Sequence, residues 1–271
     1  MDFSGDHVGL SSSASVASTL SWNTGSSRTR ISTLSSAAFS NQGEVSTLSL
    51  DGVIQTVKSL NLRQCLYNQV RWEEKLGEGE TFIVHRCELR SQDGQNVPLA
   101  IKHLKVSTAP DDSTYRRRLK SVILELRIMR HPPLRAHPNI TDVFGYGWHK
   151  SSNNGTVAGE DADDQVKIMP YLLVPYAVHR TFREYLSVAP GKISIENKEI
   201  LLGDVASAIA GLHACGIVHG DTKLDNVLVF DSWDRPSATI AKLADFGHSI
   251  VLGNTRQEGS DEPLRYTGTF P

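Results

Sequence analysis

The chain has few cysteines, no long apolar run and almost no net charge, and each shortage excludes a class of protein. Its three cysteines, Cys65, Cys87 and Cys215, stand far apart, which predicts reduced thiols and neither a disulfide framework nor a zinc site. The longest apolar run, at about residues 168–178, contains two prolines and is too short to cross a bilayer. A net charge of −2 gives no electrostatic reason to expect a nucleic-acid or membrane-surface partner. Because no basic-then-apolar signal peptide opens the chain, we expect an intracellular, cytoplasmic protein.

The first part of the chain differs in composition from the rest. Residues 1–58 are rich in serine and threonine and poor in large apolar side chains. Such a segment buries too little apolar surface to offset the entropy lost on ordering, so we predict a disordered tail. The remaining chain is long enough to bury a sizeable core, as one two-lobed domain or as two small ones.

The most informative stretch is residues 217–230, which predicts a strand, a tight loop and a second strand. Asp221, Lys223 and Asn226 stand in the loop at a fixed spacing. A carboxylate that accepts a hydroxyl proton, an ammonium that meets a phosphate and an amide oxygen that ligates Mg²⁺ suit phosphoryl transfer. The alternative interpretation is a polar turn between two buried strands.

A second stretch, residues 238–247, predicts another strand that ends in Asp-Phe-Gly. Together, Asp-x-Lys-x-x-Asn and the downstream Asp-Phe-Gly resemble the protein kinase family, in which they are the catalytic loop and a magnesium-binding turn. The resemblance implies that Asp221 is the catalytic base and that Lys223 stabilises the transferring phosphate. It also implies that Asn226 and Asp245 hold Mg²⁺ and that the nucleotide is ATP.

A glycine pair lies between two alternating stretches, residues 70–76 and 83–89, which predict a β-hairpin. Gly77 and Gly79 let backbone amides approach a phosphate closely. The match to the kinase glycine-rich loop is partial, because Phe82 stands where the family has its third glycine.

Upstream, Lys102 and Glu125 match a further pair of kinase residues. Lys102 ends Leu-Ala-Ile-Lys in the predicted strand 97–103, similar to the family's Val-Ala-Ile-Lys, whose lysine holds the α and β phosphates. A helix predicted over residues 113–131 carries Glu125, which by resemblance orients Lys102. Taken alone, Lys102 is also typical of an exposed edge strand and Glu125 of a solvated helix face.

The resemblance also assigns the adenine pocket. It implies that apolar side chains sandwich the base and that a connector between the lobes contacts its edge. These residues are Val84, Ala100 and Leu228 around the base, Val174 as gatekeeper, and Tyr176 and Ala177 in the hinge. A stack of four side chains is implied to join the lobes, made of Met129, Val143, His219 and Phe246.

Taken as a whole, we predict an α+β, protein kinase-like two-lobed fold. Residues 59–177 form the β-rich N-lobe and hinge, which is complete. Residues 178–271 form a partial helical C-lobe, with a short helix capped by Thr181 and a long one over 195–215. Since the last residues are Gly-Thr-Phe-Pro, we expect the C-lobe to be truncated after the activation segment.

The expected function is ATP- and Mg²⁺-dependent phosphoryl transfer to serine or threonine hydroxyls of a protein substrate. Lys223, two residues after the base, and Gly268-Thr269 resemble the serine/threonine subclass. Gly220 replaces the arginine that normally reads a phosphorylated activation segment, so control through that contact is not expected. The alternatives are a pseudokinase or truncated regulator without turnover and, less favoured, a small-molecule phosphotransferase, which shares the His-Gly-Asp opening.

Overall fold

The structure is a computed structural model that describes residues 49–90, 95–105, 112–151, 167–188, 191–235 and 237–252. The predictions for residues 1–48 and for the last residues, including Gly268 and Thr269, lie outside the described residues. Among the described helices, none is long and apolar enough to cross a membrane.

Five antiparallel strands form the sheet of the first lobe, in the order β1-β2-β3-β5-β4. Their bounds are β1 (Val70–Glu78), β2 (Phe82–Arg90), β3 (Asn96–Leu104), β4 (Gly145–Ser151) and β5 (Lys167–Pro175). Alternation places Ile101 and Tyr171 in a core on one face, and Leu104 and Leu172 in a larger core on the other. The strands predicted in this region are therefore confirmed, with small shifts at their ends.

The first helix, α1 (Leu50–Ser59), corrects the prediction of a disordered segment over 1–58. Ser49 caps the helix by accepting a hydrogen bond from the Gly52 amide at 3.4 Å. Val53 and Val57, one turn apart, are each 1% exposed in the larger core. The serine-rich composition of residues 1–58 hid this short amphipathic stretch, whose buried residues lie on one face of the helix.

The helix predicted over 113–131 is observed as α2 (Asp112–Met129), and a short helix, α3 (Pro132–Arg135), follows it. The apolar face of α2 packs into the larger core beneath the sheet. Its members are Leu119, Val122, Ile123, Leu126 and Met129, which are all buried.

The second lobe begins with α4 (Phe182–Val188) and α5 (Ile195–Ala214). Thr181 caps α4 as predicted: its Oγ1 accepts from the Glu184 amide at 3.1 Å, and Glu184 Oε2 accepts from the Thr181 amide at 3.0 Å. Two short ladders follow, and both are antiparallel. They pair β6 (Ile217–Val218) with β9 (Ile250–Val251), and β7 (Val227–Asp231) with β8 (Thr239–Leu243).

A buried carboxylate fastens α5 to the β7–β8 ladder. Asp204 accepts two hydrogen bonds from Arg235 at 2.8 Å and one from the Ala241 amide at 2.9 Å. The larger core runs without interruption from α2 to Leu212 and Leu243 of the second lobe. The predicted α+β fold, with a β-rich lobe followed by helices, is confirmed.

Candidate active site

The loop between β6 and β7 gathers Asp221, Lys223 and Asn226, as the sequence predicted. The Asp221 side chain is buried, and its Oδ2 lies 2.9 Å from Lys223 Nζ. Asn226 Nδ2 donates to Asp221 Oδ2 at 2.9 Å and to the Asp221 carbonyl at 2.8 Å. Because these hydrogen bonds engage the amide nitrogen of Asn226, Oδ1 is the atom of this side chain that is suited to ligate a cation.

His219 joins this loop to the strand that precedes Asp-Phe-Gly. Its Nδ1 accepts from the Asp221 amide at 3.2 Å, so the ring proton is on Nε2, which donates to the Ala244 carbonyl at 2.9 Å. Burial lowers the pKa of His219 below its ordinary value, which keeps the ring neutral at physiological pH. The neutral histidine thereby fixes the backbone of Asp221 relative to that of Ala244.

The Asp-Phe-Gly turn places Asp245 in a left-handed backbone conformation, with φ of 63°. Only asparagine, aspartate and glycine adopt this conformation readily, and such strain often occurs at functional sites. Phe246 is fully buried, edge-on to the His219 ring at 5.4 Å between centroids. The turn also contacts α2, because Ser121 Oγ donates to the Gly247 carbonyl at 3.3 Å.

Lys102 and Glu125 form an ion pair between β3 and α2, with side chains 11% and 2% exposed. Lys102 is therefore not an exposed edge-strand residue, and Glu125 does not lie on a solvated helix face, although their local sequences also allow these alternatives. Burial disfavours the charge on Lys102, but the carboxylates of Glu125 and Asp245 outweigh burial and raise the pKa of Lys102. Lys102 therefore keeps its positive charge, which the Asp245 carboxylate also stabilises.

The β1–β2 hairpin carries the glycine pair at its tip. Gly77 lies opposite Val84, and the Gly79 amide donates to the Phe82 carbonyl at 2.9 Å. A Cβ on either glycine would meet no heavy atom closer than 4.0 Å, so packing within the described chain does not demand glycine here. Open space at the tip of a glycine-containing hairpin allows a phosphate group to approach the backbone closely.

Phe82, which departs from the kinase pattern, has a position that sequence reasoning missed. It is 5% exposed, and the Lys102 ammonium lies 4.5 Å from the centre of its ring. A cation at this distance is attracted by the negative face of the ring. The departure from glycine was the visible signal, but the contact depends on the β2–β3 register.

Two carboxylates at the hairpin tip were also not foreseen. Glu78 lies 2.6 Å from Lys75 and contacts Lys105, and these hydrogen bonds lower its pKa to about 2. Glu80 pairs with Arg117 of α2 at 2.7 Å. These ion pairs are exposed, so each contributes little to stability, but together they connect the hairpin tip to β3 and α2.

The side chains assigned to the adenine pocket come from β2, β3, the end of β5 with the hinge, and β7. They are Val84, Ala100, Val174, Tyr176, Ala177 and Leu228. Ala100 and Val174 are paired across β3 and β5, and Leu228 is bridged to Thr181 at the start of the second lobe. Val84 and Leu228 are half-buried, which leaves apolar surface open.

The hinge follows β5, and its two assigned residues differ in exposure. Ala177 is buried, whereas the ring of Tyr176 is half-buried under the Arg86 guanidinium, 5.0 Å from the ring centre. Of the four side chains assigned to the stack between the lobes, His219 and Phe246 are in ring contact, and Met129 and Val143 lie buried in the same core as Phe246.

Gly220 stands where the kinase pattern has arginine, and its backbone explains the glycine. Its φ is +80°, and a Cβ there would overlap the His248 carbonyl oxygen. A side chain at this position therefore requires both a left-handed conformation and movement of the segment after Asp-Phe-Gly.

Comparison with known proteins agrees with this geometry. The sequence model of the protein kinase domain family matches residues 70–269 of this chain. The chain is 26% identical over 205 residues to the non-receptor tyrosine-protein kinase TNK1 of Mus musculus, which covers 74% of this chain and 27% of TNK1. It is 29% identical over 182 residues to a dual serine/threonine and tyrosine protein kinase of Xenopus laevis, which covers 67% of this chain and 16% of that protein.

A third relative is protein kinase gsk3 of Schizosaccharomyces pombe, with 29% identity over 128 residues, 47% of this chain and 29% of that protein. The chain therefore spans less than a third of the length of each of these relatives.

Proposed function

Since the chain belongs to the protein kinase family, we propose that it binds ATP with Mg²⁺ and transfers the γ-phosphate to serine or threonine hydroxyls of proteins. The observation that carries this proposal is the assembly of two separate clusters around Asp245. One is the buried Lys102–Glu125 pair, whose lysine is influenced by the Asp245 charge. The other is the loop of Asp221, Lys223 and Asn226, which His219 links to the residue before Asp245.

The residues present fit a magnesium ion. The Asp245 carboxylate and the Asn226 Oδ1 are hard oxygen ligands of the kind that Mg²⁺ prefers. When bound, the metal neutralises charge that develops on the phosphates. Lys102, held by Glu125, is suited to the α and β phosphates, and the open space at Gly77 and Gly79 leaves room for the phosphate chain to approach the hairpin.

Asp221 is the group that we assign as general base. Asn226 orients its carboxylate by a hydrogen bond to Oδ2, and a carboxylate held in place in this way is suited to accept the proton of a substrate hydroxyl. Lys223, at 2.9 Å from the same carboxylate, brings a positive charge to the position where the phosphate is transferred.

Serine/threonine specificity is a finer part of the proposal, and it rests on Lys223 at its position two residues after the base. The relatives' names include tyrosine and dual-specificity kinases, so the test must separate the three phosphoamino acids. We further propose that the lobes divide at residues 177 and 178, which is supported by β5 ending at Pro175 and by the bridge of Thr181 to β7.

An intracellular location remains part of the proposal. It is supported by Cys65, Cys87 and Cys215, which are all buried free thiols. Burial raises the pKa of Cys87 to about 12, so this thiol does not act as a nucleophile at neutral pH.

A kinase domain that binds partners without turnover is the second candidate, and Phe82 is the observation that favours it. The ring covers one side of Lys102 at the place where the family pattern has a glycine. If the ring blocks the phosphates, the chain retains the fold of the family without phosphoryl transfer.

The deciding experiment follows γ-labelled phosphate from Mg·ATP into a mixture of generic protein substrates. We expect incorporation into serine and threonine, and a loss of at least about a hundredfold in the Asp221→Asn variant. Asp51→Asn, an exposed change on α1, is the matched control and is expected to retain wild-type incorporation. Binding of Mg·ATP without incorporation by wild type would favour the second candidate.

A further inference from the structure

We infer that residues 49–66, here called the strap, position α2 so that Glu125 reaches Lys102. The strap consists of α1 and the extended chain that leads from it toward β1. Its consequence for nucleotide binding rests on the proposed function, whereas its mechanical role does not.

One end of the strap is packed against the helix that carries Glu125. Val53 and Val57 are buried in the same core as Leu119 and Leu126 of α2, and α1 and α2 are in direct contact. Gln55, on the opposite side of α1, is exposed. Because both valines lie on one face of α1, this apolar face packs against α2.

The strap then turns sharply away from α2. Asn61 adopts a left-handed conformation with φ of 48°, and the Leu62 amide donates to the Val57 carbonyl at 3.1 Å. This arrangement ends the helix and redirects the chain toward β4, the edge strand of the sheet.

The other end of the strap is hydrogen-bonded to the sheet. The Tyr146 amide donates to the Arg63 carbonyl at 3.0 Å, and the Cys65 amide donates to the Tyr146 carbonyl at 2.8 Å. On the other face of the sheet, the Tyr171 hydroxyl donates to the Cys65 carbonyl at 2.7 Å. The strap therefore wraps around the free edge of β4.

Two glycines of β4 make room for this backbone. A Cβ at Gly145 would lie 2.7 Å from the Arg63 carbonyl oxygen, and a Cβ at Gly147 would lie 2.5 Å from that of Cys65. Such distances exclude any side chain without movement of the strap. Close packing of the strap against β4 therefore requires glycine at Gly145 and Gly147.

The two attachments fix α2 relative to β3. Tyr171, which holds the strap, is the neighbour of Leu172, the residue paired with Lys102 across β3 and β5. Lys102 and the sheet end of the strap therefore belong to one rigid ladder, while α1 holds the helix that carries Glu125. Val53 and Val57 are accordingly positioning residues for the ion pair.

The test weakens each attachment separately in the full chain. Val57→Ala thins the α1–α2 contact, Tyr171→Phe removes only the hydrogen bond to Cys65, and Gln55→Ala is the exposed control. We measure hydrogen exchange of the α2 amides and the Kd values for Mg·ATP and for adenosine. Adenosine has no phosphates, so its binding reports the apolar pocket without Lys102.

We expect faster exchange in α2, with exchange in β7 and β8 unchanged, for both Val57→Ala and Tyr171→Phe. If the paired state of Glu125 falls to a fifth of its population, the Kd for Mg·ATP rises about fivefold, while that for adenosine changes less than about twofold. Gln55→Ala is expected to retain the wild-type values.

Unchanged α2 exchange in both weakened variants would overturn the inference. Equal weakening of Mg·ATP and adenosine binding would also overturn it, because a loss of overall stability affects both ligands alike. If Val57→Ala does not fold, Tyr171→Phe decides. If the wild-type chain binds no Mg·ATP, the proposed function fails, and the exchange measurement still decides the role of the strap.

Discussion

Lys102 and Glu125 place two opposite charges in the interior, with 11% and 2% of their side chains exposed. Removal of one partner leaves the other charge buried without compensation, which destabilises a protein by about 3–5 kcal/mol. We therefore expect Lys102→Met to lower the free energy of unfolding by an amount in this range, measured by urea denaturation.

The matched control is the double variant Lys102→Met/Glu125→Leu, which removes both charges and approximately conserves volume. Because no buried charge is left unpaired, we expect the double variant to be more stable than Lys102→Met alone. A single variant within about 1 kcal/mol of wild type would show that Glu125 is not held by Lys102 in solution.

His103 makes the stability of the protein depend on pH. Its ring is stacked on Trp72 at 3.8 Å and lies 5.1 Å from His149, and neither ring nitrogen has a hydrogen-bond partner within the described residues. Burial, with a smaller contribution from His149 and His85, lowers the pKa of His103 to about 2. The native ring therefore stays neutral while the unfolded ring takes up a proton below about pH 6.5.

The unfolded state thus binds more protons in this range, so stability is fully present above pH 6.5 and is lost as pH falls toward the folded pKa. Each such group contributes a slope of about 1.4 kcal/mol per pH unit. We expect His103→Phe to reduce the slope of unfolding free energy between pH 6 and 4 by about this amount. At pH 8 the wild-type ring is neutral in both the folded and the unfolded state, so a measurement at this pH is the control in which the proton effect is absent. An unchanged slope between pH 6 and 4 would contradict the low pKa of His103.

At the scale of elements, we expect the replacement of glycine by alanine to change stability in opposite directions at two positions. Gly203 lies inside α5 with no heavy atom within 4 Å of an added Cβ, so Gly203→Ala is expected to stabilise by about 0.5–1 kcal/mol. Gly147 lies under the strap, where the added methyl group overlaps Cys65 and Tyr171, so Gly147→Ala is expected to destabilise by about 1–3 kcal/mol.

Urea denaturation of the two alanine variants checks both signs. If Gly147→Ala changed the free energy of unfolding by the same amount and sign as Gly203→Ala, the strap would not lie against β4 in solution.

The elements that sequence reasoning predicted well are those with a clear period. The α2 helix has apolar residues at helical spacing, and β1 and β2 alternate with a glycine pair between the two alternating stretches, so local pattern and final environment agree. The α1 helix was not predicted because its amphipathic pattern is short and stands at the end of a serine-rich segment. Its stability comes from burial against α2, which no local pattern reveals.

The motifs of the candidate site were predictable from the sequence, but several contacts were not. Asp221 and Asn226 are five residues apart, and their hydrogen bond follows from the loop alone. Asp204 and Arg235, by contrast, are 31 residues apart and meet only because α5 packs on β8. The Phe82 ring over Lys102 likewise requires the exact strand register.

At the scale of the whole molecule, the two lobes meet at Asp245. The N-lobe contributes the Lys102–Glu125 pair, and the second lobe contributes the loop between β6 and β7, which His219 connects to the strand before the Asp-Phe-Gly turn. We propose that these groups together form one site for Mg·ATP. Either lobe alone lacks part of the charge that this ligand requires.

The most direct measurement is a thermal-shift titration of wild type and Asp245→Asn with Mg·ATP. Asparagine tolerates the left-handed backbone of Asp245, so this variant removes the charge while the turn is retained. A ligand that binds only the folded state adds about 2.7 kcal/mol of stability at a hundred times its Kd. We predict a rise in the Tm of wild type with increasing Mg·ATP and a much smaller rise in the variant. A cooperative melt with no shift in wild type, or equal shifts in both proteins, would contradict the account.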